Sequence, residues 1–255
     1  MIQVHSLTFG YPQHSPIFQA FDWNVERGET WAIIGSSGCG KTSLLYLLAG
    51  LLKPNSGEIL IEGEAIARPR PGTGLILQEY GLLPWSTVRQ NAELGLRVRN
   101  FYGPDGMHAP QSHQKTQNVM PWLERLGIAH LADKYPSQIS GGERQRTAIA
   151  RTLALRPDIL LMDEPFSSLD AVIREDLQSL TLELCEEQGI TLIMVTHAIE
   201  EAAVMGRKIL LLGQPPNTKP GIFVNQNAGN AEYRGTKEYL EMCKTLRREL
   251  NDETP

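Results

Sequence analysis

Eight consecutive residues, Gly35-Ser36-Ser37-Gly38-Cys39-Gly40-Lys41-Thr42, carry the spacing G-x-x-x-x-G-K-[ST]. Glycines in such a run let successive backbone N–H groups curl around phosphate oxygens, and a helix starting at Lys41 adds positive potential at the same spot. Lys41 then places an ammonium at the β- and γ-phosphates of a nucleoside triphosphate such as ATP, and the Thr42 hydroxyl has the reach to ligate Mg²⁺. Further on, Ile159-Leu160-Leu161-Met162-Asp163-Glu164 is an apolar run ending in two acids. Asp163 has the strand-end place of a carboxylate that holds Mg²⁺. Glu164, one residue on, points elsewhere and can face an attacking water as general base, a role contributing ~10²–10⁴-fold in rate. Cys39 lies inside the glycine loop, where Lys41 and the helix N-terminus lower a thiol's pKa. The expectation is that alkylation inhibits and ATP protects; the alternative is an inert thiol at a tolerant position.

Those residues need a strand before the loop and a helix after it. Thr30 to Ile34 is a short apolar run entering the loop, and Lys41 to Leu52 reads as a helix apolar nearly all round, hence buried. Ahead of them, Ile2 to Val4, Ser6 to Phe9 and Phe21 to Val25 read as strands, and Glu58 to Glu62 follows as another. From Val88 to about Leu155 the pattern is helical, interrupted by Gly103–Asn118, rich in Gly, Pro, His and Gln, which reads as an exposed loop. Its His108 and His113 read as solvated loop histidines rather than as metal ligands. Ile159 to Met162 and Thr191 to Val195 read as buried strands with helical segments between and after them, the alternation of a parallel α/β sheet, and Ile209 to Leu212 is a last apolar run. Pro215-Pro216 and Pro220-Gly221 break the chain, and Thr236 to Leu250 closes it as an amphipathic helix with Tyr239, Leu240, Cys243, Leu246 and Leu250 on one side.

The chain has 255 residues, 41% hydrophobic and 21% charged, enough to bury a sizeable core and too apolar for wholesale disorder. A net charge of −5 gives no global basic excess, so no nucleic-acid partner is expected. Cys39, Cys185 and Cys243 form no CxxC pair, which argues against a zinc knuckle or a disulfide framework and for a reducing compartment. The N-terminus lacks the regions of a signal peptide, and Leu44 to Leu52 is too short to span a bilayer. If the chain works at a membrane, other subunits must hold it there.

Ile139-Ser140-Gly141-Gly142-Glu143-Arg144-Gln145-Arg146 resembles the L-S-G-G-Q signature of the ABC ATPase family. Other landmarks follow in the family's order. Gln78 resembles the Q-loop glutamine, Ser167-Ser168-Leu169-Asp170 the D-loop, His197 the switch histidine, and Tyr11 the aromatic that stacks on adenine. The resemblance covers roughly residues 2 to 213. It implies a P-loop NTPase core with a parallel sheet, an N-terminal antiparallel β-subdomain and a helical signature subdomain at about 86–155. Residues 214–255 are left as a tail, too short and polar for a full regulatory domain. It also implies a Mg-dependent ATPase acting as a head-to-tail homodimer, each ATP held between one P-loop and the partner's Ser140, Gly141 and Gly142. His197 would bond the γ-phosphate, Gln78 would sense Mg²⁺ and water, Asp170 would link the two sites, and Tyr11 would stack on the base, worth ~1–3 kcal/mol by analogy with stacking elsewhere.

The pattern departs from the family at three places. Ile139 replaces Leu. Glu143 replaces Gln and adds negative charge near the partner's nucleotide unless Arg144 or Arg146 neutralises it. Met205-Gly206-Arg207 lacks the usual Asp-Arg, which questions the local packing. Leu82-Leu83-Pro84-Trp85, beside Gln78, is too apolar for a surface loop; it suits either internal packing or a groove for a membrane subunit. The same run resembles importers of the nitrate, sulfonate and taurine type. That resemblance implies a peripheral place on the cytoplasmic face of the cell membrane, permease subunits as partners, and a solute-binding protein outside. The alternative is a soluble ABC ATPase with no transport role, which usually carries tandem cassettes or a coiled-coil insertion that this chain lacks.

Overall fold

The computed structural model describes residues 1–103, 118–230 and 232–252. Most of the loop expected at Gly103–Asn118, with His108 and His113, lies outside the described residues. A four-stranded antiparallel sheet, ordered β2-β1-β4-β5, is built from β1 (Ile2–Phe9), β2 (Phe18–Val25), β4 (Ser56–Ile61) and β5 (Glu64–Ala65). A six-stranded sheet, ordered β10-β9-β3-β8-β7-β6, is built from β3 (Thr30–Gly35), β6 (Thr73–Ile76), β7 (Ile159–Asp163), β8 (Thr191–Val195), β9 (Lys208–Leu212) and β10 (Gly221–Val224). Its strands pair parallel except β10, which runs antiparallel to β9. The two sequence runs at Ile2 to Val4 and Ser6 to Phe9 are one strand whose register slips between them, with Ser6 at φ 47°.

The continuous apolar runs of β3, β7, β8 and β9 have a simple cause: both faces of this sheet are covered. Side chains alternate between two cores. Trp31, Ile33, Ile159, Leu161, Ile193, Val195, Leu210 and Leu212 pack toward α1 (Lys41–Leu48) and the antiparallel sheet. Ala32, Ile34, Leu160, Met162, Leu192, Met194, Ile209 and Leu211 pack toward the remaining helices. Those are α2 (Val88–Tyr102), α3 (Met120–Arg125), α4 (Gly141–Leu153), α5 (Ala171–Gln188), α6 (Ile199–Met205) and α7 (Lys237–Asp252).

Helix α1 is shorter than the apolar pattern suggested. Gly50 takes φ 71°, and the N–H of Leu51 turns back onto the carbonyl of Tyr46, which closes the helix. Two later helices begin with capping boxes, Thr87 with Gln90 at α2 and Ser140 with Glu143 at α4. Beyond residue 213 the described residues pack back onto the body. Gly221–Val224 joins the sheet, a strand hidden in the sequence by the Pro-Gly step before it. In α7, Leu246 and Cys243 are buried, whereas Leu240, expected on the same stripe, is 54% exposed. The doubtful Met205-Gly206-Arg207 stretch is close-packed: a Cβ on Gly206 would lie 2.8 Å from that of Ala32, so only glycine lets α6 approach β3 there.

Glu201 on α6 is 6% exposed. It accepts from Gln178 Nε2 at 2.9 Å, is bonded to the Thr196 hydroxyl, and belongs to a chain that continues through Gln178 Oε1 to Arg234. Burial pushes its carboxyl above the usual range, against the bonds from Thr196 and Gln178. The folded state therefore binds this proton more tightly than the unfolded chain, and stability falls as pH rises from the ordinary carboxylate value through the raised one. Glu201→Gln keeps the acceptor and removes the charge. It is expected to flatten that slope and to melt at or above the wild-type temperature near neutrality, as thermal melts from pH 4.5 upward will show.

Candidate active site

The loop from Gly35 to Thr42 bridges the C-terminal end of β3 and the start of α1. Gly35, Gly38 and Gly40 all have positive φ, and Gly40, at φ 109°, is the N-cap of α1. Any side chain at Gly40 would strike Ile17: its Cβ would fall 2.3 Å from Ile17 Cγ2. Gly35 is hemmed in likewise: a Cβ there would fall 2.5 Å from the carbonyl oxygen of Leu212. Lys41 is 5% exposed, and its ammonium donates to the carbonyls of Gly35 at 2.9 Å and Ser36 at 3.0 Å.

Across the sheet, β7 delivers the two acids in different directions. Asp163 Oδ1 accepts from Thr42 Oγ1 at 3.2 Å. Burial pushes the Asp163 carboxyl above its usual range; the Thr42 hydroxyl and Lys41 lower it, while the charge of Glu164 raises it further. Two hard oxygen donors on adjoining elements, in a pocket where two carboxylates crowd each other, are the donor set and the electrostatic setting that a Mg²⁺ ion suits. Glu164 has φ 47°, a conformation that holds a non-glycine residue at a cost of about 1–3 kcal/mol. Its N–H bonds to Val195 O at 3.0 Å, tying the end of β7 to the end of β8. The side chain is thereby turned to His197, with Oε1 2.5 Å from Nε2, and to Gln78, whose Nε2 donates to Oε2 at 3.3 Å.

A cleft of about 700 Å³ joins these parts, lined by residues that include Tyr11, Ser37, Gly38, Gly40, Lys41, Thr42, Glu164 and His197. Tyr11 packs edge-on to Phe9 with centroids 5.2 Å apart, and its hydroxyl bonds to Ser43 Oγ at 3.1 Å. Pro12, His14, Ile17 and Ser43 also line the cleft and carry no motif that would mark them in the sequence.

Ser140, Gly141 and Gly142 do not line it. Ser140 caps α4, its Oγ accepting from Glu143 N at 3.3 Å while Glu143 Oε2 accepts from Ser140 N at 2.7 Å. This bond, first among the causes, holds the Glu143 carboxyl below its usual range. The cap is thus the first partner of that charge, and the charge of Arg146 acts in the same sense. Arg144 bonds the carbonyls of Pro136 and Ile139, and Arg146 that of Leu126 together with Asp176. Gln78 is followed by Tyr80 and Gly81, whose carbonyls accept from Arg151 at 2.6 and 2.7 Å. In the apolar run after them, Leu82 packs on the core while Trp85 is 72% exposed.

Residues 18–167 match the family model described as ABC transporter. The chain is 39% identical over 232 residues to the nitrate import ATP-binding protein NrtC of Synechococcus elongatus, a match covering 89% of this chain and 33% of that protein, so the chain spans about a third of that relative's length. It is 34% identical over 245 residues to the taurine import ATP-binding protein TauB of Pseudomonas aeruginosa, covering 94% of this chain and 89% of that one. Among solved structures, cbiO1 from Clostridium perfringens, part of the ABC transporter complex cbiONQ, superposes with a TM-score of 0.75 at 27% identity, covering 98% of this chain and 97% of that one.

The Cys39 side chain is 0% exposed, so the expected accessible thiol is not found. It turns beneath the loop, its Sγ 2.6 Å from where a Cβ on Gly35 would lie. A maleimide is therefore expected to label Cys39 slowly in the folded protein, with ATP making little difference, and completely only after denaturation; mass spectrometry of the labelled peptides reads this out.

Proposed function

Because this chain belongs to the ABC transporter family, we propose that it is the ATP-hydrolysing, energy-coupling subunit of an importer, acting as a head-to-tail dimer on the cytoplasmic face of the cell membrane. The observation that carries this reading is the meeting of Lys41, Thr42, Glu164 and His197 around one cleft, with Asp163 bonded to Thr42 behind it.

Each side chain then has a task. Loop N–H groups, apart from that of Cys39, which bonds the carbonyl of Ser36, and the Lys41 ammonium meet the phosphates, where preorganised donors stabilise charge on the transferring group. Tyr11 offers its ring to the base. Thr42 and Asp163, with Gln78 nearby, would hold Mg²⁺, which supplies charge neutralisation at the phosphate oxygens. Glu164 takes a proton from the attacking water. His197 holds that carboxylate and bonds the γ-phosphate.

Ser140, Gly141 and Gly142 lie outside the cleft of their own chain, which favours their serving the cleft of a second copy. Their position at the N-terminus of α4 suits an anion. The membrane partner is assigned to the face where Trp85, Val98, Phe101 and Tyr102 are exposed together, all lining a cleft of about 520 Å³. Among the described residues no helix is long and apolar enough to cross a membrane, so permease subunits would supply the span, with a solute-binding protein outside. The relatives named for nitrate and taurine favour a small anionic or organic solute. The alternative, a soluble ATPase with no transport role, finds no support in the similarities.

Glu164→Gln is expected to lower turnover by about 10²–10⁴-fold with ATP binding retained, as measured by phosphate release and nucleotide titration. Unchanged turnover would remove Glu164 from the role of base. In detergent-solubilised native membranes the tagged chain is expected to retain a multi-span protein, and Trp85→Ala to weaken that capture.

A further inference from the structure

Asn217 lies past the last parallel strand, distant in sequence from the phosphate loop, and is 5% exposed. Its Nδ2 donates to the carbonyl of Cys39 at 2.9 Å and to that of Ile17 at 3.2 Å, while its Oδ1 accepts from Gly213 N at 2.9 Å. Its backbone N–H donates to Ile17 O at 2.8 Å, and its carbonyl accepts from Gln19 N at 3.0 Å. One residue thus fastens three segments: the phosphate loop, the start of β2 and the exit from β9. Gln214 adds a bond from its Nε2 to Ser36 Oγ at 3.3 Å.

The bond to Cys39 has a directional effect. The Cys39–Gly40 peptide is planar and trans, so its C=O and N–H point opposite ways. A carbonyl held against Asn217 turns the Gly40 N–H away from Asn217, toward the cleft that Gly40 lines. The bonds to Ile17 act on the same place, because Ile17 fills the space where a Gly40 Cβ would stand. We propose that Asn217 is a positioning residue for nucleotide binding, orienting the Cys39–Gly40 peptide so that the loop presents its N–H groups to phosphate. This rests on the reading of the cleft as an ATP site.

The protein contains its own control. Asn225, 4% exposed, makes the same kind of stitch elsewhere: its Nδ2 donates to Ala203 O at 2.6 Å and Gly206 O at 3.1 Å, and its Oδ1 accepts from Tyr233 at 2.7 Å. Wild type, Asn217→Ala and Asn225→Ala are compared by calorimetric titration with ATP, by thermal melts and by steady-state kinetics. Both variants are expected to melt earlier. Only Asn217→Ala is expected to bind ATP about tenfold more weakly, equivalent to about 1.4 kcal/mol, with KM raised and kcat at saturating ATP little changed. Equal ATP affinity in the two variants overturns the inference. If wild type itself binds no ATP, the nucleotide reading falls and takes the inference with it. Should Asn217→Ala fail to fold, Asn217→Ser, which keeps one donor, goes through the same comparison against Asn225→Ala.

Discussion

A loop that turns its N–H groups toward an anion must have its carbonyls satisfied on the other side, because each peptide unit carries both groups on one rigid plane. Much of what surrounds residues 35–42 answers that requirement. The carbonyls of Gly35 and Ser36 accept from the Lys41 ammonium. The carbonyl of Cys39 accepts from Asn217, and that of Gly40 from Leu44 within the first turn of α1. The loop sits where β3 leaves a sheet buried on both faces, so its anchor points are among the most confined in the molecule.

The fold was legible in the sequence wherever burial imposed a pattern. Four apolar runs sit in the centre of the six-stranded sheet because a strand covered on both faces has no polar alternation to hide. β10 escaped notice because it is an edge strand of four residues, half its positions exposed, introduced by a Pro-Gly step that reads as a turn. The end of α1 was misplaced because apolar composition does not reveal where a glycine will take positive φ. Leu240 was misassigned because a helical stripe one residue wider than the true contact face catches a neighbour that points to water.

The site divides in the same way. Lys41, Thr42, Asp163, Glu164 and His197 announce themselves because their chemistry demands particular residue types at particular spacings. Pro12, His14 and Ile17 line the same cleft through fold position alone, and Asn217 serves it through hydrogen bonds to backbone, which leave no trace in side-chain type. Glu143 shows the reverse case. Read as a charge, it looks to an arginine; in the structure its first partner is the cap at Ser140, and the charge of Arg146 acts in the same sense after it.

The bonds from Arg151 to the carbonyls of Tyr80 and Gly81 give α4 a mechanical character. The helix runs Gly141–Leu153, which at 1.5 Å per residue makes a rod of about 20 Å. Ser140 caps one end, and near the other Arg151 grips the turn that follows Gln78. A rod of that kind is stiff along its length, so the turn beside the cleft and the outward-facing residues at the cap are held at a fixed spacing. Tyr80, from the gripped turn, also reaches the cap, its hydroxyl 3.8 Å from where a Cβ on Gly141 would stand, so the two ends are geometrically one part.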